Sequence, residues 1–223
     1  MTFVVASAPE SMMDYIYDVF ISYRRHREWT PWTREHIYGL LDAYLTQELG
    51  RSPAIFIDER IEPGVDWPDR LAAALGRARV LLPVFSRDYF GSDWCIHELD
   101  LMHDRSRRFP ASRLIIPVIG HDGDLIPDEI ARLQSFDLSE FRNTDIQRRT
   151  PRFEQFSDSV KELAPHVAAA IGSAPGFDPS WLEECQTRFD QVYQAHCGGP
   201  PASVTSLTRK PMPFPAAPPR VTL

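Results

Sequence analysis

The sequence predicts an α/β domain: one five-stranded parallel sheet with helices on both faces. Two observations carry this. Short runs of apolar, β-branched and aromatic residues alternate along the chain with longer stretches of helical periodicity. The runs are apolar throughout and do not alternate in and out, as strands covered on both faces require. Successive strand–helix–strand units cross over with one hand, so ligands of such a sheet bind beyond the C-terminal ends of its strands.

The first run, Tyr17 to Ser22 (YDVFIS), opens the sheet. RRHREWTPW follows and reads as a loop. From Thr33, Ile37, Leu40, Leu41, Tyr44, Leu45 and Leu49 recur at helical spacing, and Gly50 stands where a C-cap glycine belongs. Ala54 to Ile57 (AIFI) is the second strand, and DERIEPGVDW is a polar loop with a Pro-Gly turn. Leu71, Ala74, Leu75 and Ala78 give the stripe of a helix over 67–78. Val80 to Phe85 (VLLPVF) is the third strand. Pro83 removes a ladder donor from it, which predicts a bulge or a strand end there.

A helix begins near Asp93. Leu114 to Ile119 (LIIPVI) is the fourth strand, with Pro117 placed like Pro83, and the loop HDGDLIPDE follows. Phe136 to Leu138 makes a short fifth strand. Phe153, Phe156, Val160, Leu163, Val167 and Ile171 mark a long amphipathic helix ending at Gly172. Residues 1–14 read as an N-terminal extension. An additional amphipathic helix spans 178–197, with Asp178 as its cap, Pro179 at its first position, and an apolar face of Trp181, Leu182, Cys185, Phe189, Val192 and Tyr193. Packing on its own domain is the use its broad face suggests. Residues 198–223 hold seven prolines and no acid, the composition of a disordered or extended tail.

Composition excludes some classes of function. The net charge of -7 speaks against a nucleic-acid binder. Three cysteines, Cys95, Cys185 and Cys197, with no C-x-x-C pair, offer neither a disulfide framework nor a zinc site and suit reduced thiols in the cytoplasm. HDGD reads as a turn and not as a metal site. The N-terminal residues lack the basic region of a signal peptide, and no apolar run approaches membrane-spanning length. Two lysines, Lys161 and Lys210, stand against 22 arginines, a bias that suits a GC-rich, bacterial genome.

DVFISYRR, FIDERIEPGVDW and SRDYFGSDWCIHEL, in this order on this strand–helix pattern, resemble the Toll/interleukin-1 receptor (TIR) domain family. The resemblance covers Tyr15 to Gly172 and implies the flavodoxin-like TIR fold. The family contains enzymes that cleave NAD at the nicotinamide–ribose bond, and adaptors that act by assembling. The enzymes carry a glutamate in a W-x-x-x-E helix after the third strand, which here is Trp94 and Glu98. The resemblance therefore implies an NAD glycohydrolase or cyclase of the bacterial type, used in anti-phage defence or immune-type signalling and activated by TIR–TIR self-association. The other reading it allows is a non-enzymatic interaction module, with the 178–197 helix or the Pro-rich tail recruiting a partner protein.

The chemistry suits the residues. Cleaving an N-glycosidic bond builds positive charge on the ribose, which a nearby carboxylate stabilises. Nicotinamide leaves from a cationic pyridinium, so no acid need protonate it and one carboxylate, Glu98, suffices. NAD is then substrate, and no cofactor or metal is implied. No G-x-G-x-x-G fingerprint is present, so NAD follows from the resemblance and not from a dinucleotide motif. Trp94, one helical turn before Glu98, offers an aromatic wall on the same face. Ser22, Tyr23, Arg24 and Arg25 leave the first strand, and one of the two arginines is placed to meet the diphosphate. Asp58, Glu62 and Gly64 belong to the loop that, in the family, serves both nucleotide pocket and assembly. Ser86 and Tyr89 match the family's S-x-x-Y step. Ser86 either caps a turn or lines the site.

Overall fold

A computed structural model of the chain describes residues 14–25, 29–57, 67–121, 126, 128–141 and 148–197. The elements, in order, are β1 (Tyr17–Tyr23), α1 (Trp29–Pro31), a π-helical stretch (Trp32–Tyr38), α2 (Gly39–Leu49), β2 (Ile55–Ile57), α3 (Trp67–Gly76) and β3 (Ala78–Phe85). They continue as α4 (Arg87–Phe90), α5 (Asp93–Arg108), β4 (Val118–Ile119), α6 (Asp128–Ala131), β5 (Phe136–Asp137), α7 (Pro151–Ser173) and α8 (Pro179–Cys197). The five strands form one sheet in the order β2-β1-β3-β4-β5, and every neighbouring pair is parallel.

Pleating divides β1 between two cores. Val19, Ile21 and Tyr23 face one layer, packed with Ile37, Leu41 and Leu45 of the first helical segment and with Phe156, Val160 and Leu163 of α7. Phe20 faces the other layer, with Leu71 and Leu75 of α3, Leu99 and Met102 of α5, and Trp181, Cys185 and Phe189 of α8. Helices thus cover both faces, and α8 closes over the second core on its own domain. Asp178 caps α8 by accepting hydrogen bonds from Ser180 N (2.9 Å) and Ser180 Oγ (2.7 Å).

Three local expectations change. The first helix begins at Trp29, not Thr33, so the end of RRHREWTPW is helical. Pro31 lies in its first turn, where a missing N–H costs nothing. β3 does not stop or bulge at Pro83: its register with β1 runs on through Ser22↔Pro83 and Tyr23↔Val84. The interruption falls on the other side. Leu81 N donates to Leu114 O (2.8 Å) and Ile116 N to Leu81 O (3.0 Å), so the next donor toward β4 would be residue 83, a proline. Pairing is reduced to a bridge at Leu81↔Ile115 and the short ladder from Val84↔Val118, and the fourth strand is two residues long instead of six.

Gly50 closes α2 with φ 66°, the left-handed conformation glycine adopts freely. Among the described residues, no helix is long and apolar enough to cross a membrane, and no group of three or more His, Cys, Asp or Glu could hold a metal ion. Cys95 and Cys185 are free thiols, both buried.

Candidate active site

The chain leaves β1 for one edge of the sheet and β3 for the other, so the C-terminal ends of these two central strands mark the switch point at which sheets of this kind form their ligand crevice. Ser22 and Tyr23 end β1, and Ser86 directly follows β3. Two serine caps start the helices that follow β3 at this end of the sheet. Ser86, in extended backbone, accepts the Tyr89 N–H at 3.1 Å and starts α4. Ser92 accepts the Cys95 N–H at 3.4 Å and starts α5. The first cap delivers Tyr89, and the second delivers Glu98 in the second turn of α5.

Glu98 is buried, with 6% of its surface exposed, on the same side of the sheet as Ser22. The Ser22 hydroxyl donates to Glu98 Oε2 at 2.6 Å, the short distance of a hydrogen bond to a charged acceptor. Ser22 Oγ also lies 3.1 Å from the Tyr89 hydroxyl, which donates to the Cys95 carbonyl at 3.0 Å. A strand residue, a short helix and α5 are thus joined through the Ser22 hydroxyl. Arg24 reinforces the join: its Nη1 donates to Ser92 Oγ at 3.1 Å, tying the end of β1 to the cap of α5.

Burial, then the charges of Cys95 and Glu98, push the Tyr89 phenol well above its ordinary range. Tyr89 therefore stays protonated and serves as a fixed donor. Burial first and the Glu98 charge second push the Cys95 thiol up as well, so it is no thiolate nucleophile near neutral pH.

The expected site residues divide accordingly. Ser22, Tyr89 and Glu98 meet. Ser86 and Arg24 stand one step back, as a cap and a tie to a cap. Tyr23 points to the opposite face and is buried in the first core, so it does not join Ser22. Arg25 is half-buried at the strand end. Trp94 is half-buried, and its ring stacks on Phe189 of α8 with centroids 5.9 Å apart. The helical spacing had given both Trp94 and Glu98 to the crevice, whereas this contact turns Trp94 toward the added helix. Asp58, Glu62 and Gly64 lie outside the described residues.

Two contributors were missed. Ser92 was legible as a serine directly before a helical run. The Cys95 carbonyl, being backbone, left no signal in the sequence. Trp29, read as loop, packs at the same end of the sheet over Gly120, where an added Cβ would come within 2.8 Å of the indole.

A family model described as TIR domain matches residues 19–150. The Arabidopsis thaliana protein SUPPRESSOR OF npr1-1, CONSTITUTIVE 1 is 29% identical over 105 residues, 47% of this chain and 6% of that protein. TMV resistance protein N of Nicotiana glutinosa is 28% identical over 113 residues, 50% of this chain and 9% of that protein. The chain thus spans a small part of these relatives. A solved structure of the activated Roq1 resistosome directly recognizing the pathogen effector XopQ (TIR domains) is similar at 19% identity, over 80% of this chain and 98% of that one, with a TM-score of 0.37.

Proposed function

The chain belongs to the TIR domain family, and from that premise we propose that it is an NAD nucleosidase, a glycohydrolase or cyclase that breaks the nicotinamide–ribose bond with Glu98 as its catalytic carboxylate. One observation supports this most: a buried carboxylate held by Ser22 at the C-terminal ends of the two central strands. A carboxylate in this position can face the ribose as positive charge develops there, and its low-dielectric surroundings strengthen that attraction. The pyridinium leaves as neutral nicotinamide and takes the bonding electron pair with it. Water attacking the ribose gives ADP-ribose, and an internal nucleophile gives a cyclic product.

Arg24 or Arg25 at the end of β1 suits the diphosphate, and Asp58, Glu62 and Gly64 would contribute to the nucleotide pocket, as their loop does in the family. In this reading the enzyme works in the cytoplasm and is activated by self-association, which completes the pocket between copies. The arginine-over-lysine bias supports a bacterial setting, for which the family resemblance implies anti-phage defence. The plant relatives, one of them named a resistance protein, support immune-type signalling more broadly.

The test is nicotinamide release from NAD by the full chain, dilute and concentrated, beside Glu98→Ala. Release that rises more steeply than protein concentration, and disappears in the variant, supports both the chemistry and the assembly. The non-enzymatic reading draws on one observation, that Trp94 packs against Phe189. Absence of release at every concentration would favour it.

A further inference from the structure

Glu98 is carried by a helix, whereas the crevice is defined by strands. A long side chain on a helix has several rotamers, and catalysis of charge development requires one of them. The link that selects it is visible. Ser22, 1% exposed in the central strand β1, places its hydroxyl 2.6 Å from Glu98 Oε2. Ser22 in turn lies 3.1 Å from the hydroxyl of Tyr89, which is fully buried and fixed by its bond to the Cys95 carbonyl at 3.0 Å. Tyr89 stays protonated. The hydroxyl proton of Ser22 is therefore directed to the carboxylate, the stronger acceptor of its two neighbours.

We propose that Ser22 is the positioning residue of Glu98: its hydroxyl anchors Oε2 to the rigid end of β1, with Tyr89 holding Ser22 in turn. This rests on the nucleosidase reading and changes one part of it. The resemblance made Ser22 a substrate-binding residue. Its burial and its engagement with Glu98 assign it to the carboxylate instead. Tyr89 likewise becomes part of the support and not of the nucleotide pocket. The i+3 spacing from Ser86 to Tyr89 acquires a reason: the cap fixes α4 so that the phenol reaches the end of β1.

Two measurements test this, one with substrate and one without. In nicotinamide release by the full chain, Ser22→Ala should lower kcat roughly ten- to a hundredfold, the worth of one hydrogen bond to a charged group. KM for NAD should stay unchanged, and Ser22→Thr, which restores a hydroxyl, should recover part of the loss. Tyr89→Phe should lower kcat less than Ser22→Ala. A loss confined to KM would mean that Ser22 meets the substrate, and an unchanged kcat would mean that it positions nothing; either overturns the proposal.

The second measurement is urea unfolding of wild type, Ser22→Ala, Glu98→Ala and the double variant. Coupled residues should shift the midpoint together by less than the sum of their separate shifts. Additive shifts overturn the proposal even if nicotinamide is released. If no nicotinamide is released by wild type, the nucleosidase reading fails by itself, while the unfolding cycle still decides whether Ser22 holds Glu98.

Discussion

Asp18 and Glu98 are buried carboxylates at opposite ends of the same sheet, and their partners separate structure from chemistry. Asp18, the second residue of β1, accepts two guanidinium N–H groups from Arg51, at 2.6 and 2.7 Å, and the Ala54 N–H at 2.9 Å, with Arg79 3.7 Å away. That clamp joins β1 to the turn before β2. Burial alone would raise the pKa of Asp18, but the Arg51 and Ala54 hydrogen bonds and the Arg51 and Arg79 charges hold it below the ordinary value. Its stabilisation is therefore complete above the ordinary aspartate range and is lost as pH falls through the lowered folded value. Asp18→Asn should cost about 1–3 kcal/mol at neutral pH. Urea midpoints of wild type and variant should converge in acid, and a gap that persists at low pH would contradict the clamp. Glu98 accepts the Ser22 hydroxyl at 2.6 Å, a contact that reaches across from β1. Both motifs were visible in the sequence, as DVFISYRR and as WCIHE, but their partners were not. Arg51 lies 33 positions from Asp18 and Ser22 lies 76 from Glu98, and no periodicity encodes such distances.

Helices and strands were legible where hydrophobic period and caps agreed. β1, α2 with its Gly50 stop, α5 and α7 stand where these signals place them. β4 and the start of the first helix do not, and proline explains both. Pro83 breaks pairing with the neighbouring strand while leaving its own strand intact, and Pro31 sits in the first turn of a helix whose start reads as loop in the sequence. The site was less legible than the fold because helix faces can be shared. Trp94 could serve crevice or core, and α8, which lies outside the span matched by the family model, supplied Phe189 to take it. α8 sits close to α3: a Cβ on Gly76 would come within 2.8 Å of Leu182 Cδ1 and 3.1 Å of Leu182 Cα. A new rotamer relieves the first contact but not the second, so backbone must move. Gly76→Ala should destabilise the chain by about 1–3 kcal/mol, although alanine is the better helix former. Limited proteolysis should then cut α8 earlier. A variant more stable than wild type would contradict this packing.

In the molecule as a whole, the chain leaves the two central, paired strands of a parallel sheet toward opposite edges, and the buried carboxylate of Glu98 stands at that end. Buried arginine braces the opposite end. Arg105, 2% exposed, donates to the Ala78 carbonyl at 3.1 Å and to the Tyr15 hydroxyl, and lies 5.1 Å from the Trp181 ring. β3, the segment before β1, α5 and α8 are thereby tied together at the end away from the crevice. The added helix packs on α3 and α5 and extends the second core. On the nucleosidase reading, the charge of Glu98 drives bond cleavage. The most direct measurement is nicotinamide release from NAD by Glu98→Gln, which keeps the shape of the side chain and removes its charge, with circular dichroism confirming the fold. The expected result is a loss of roughly a hundred- to a thousandfold in kcat, the scale of one removed transition-state electrostatic contact. A folded Glu98→Gln variant that releases nicotinamide at the wild-type rate would contradict it.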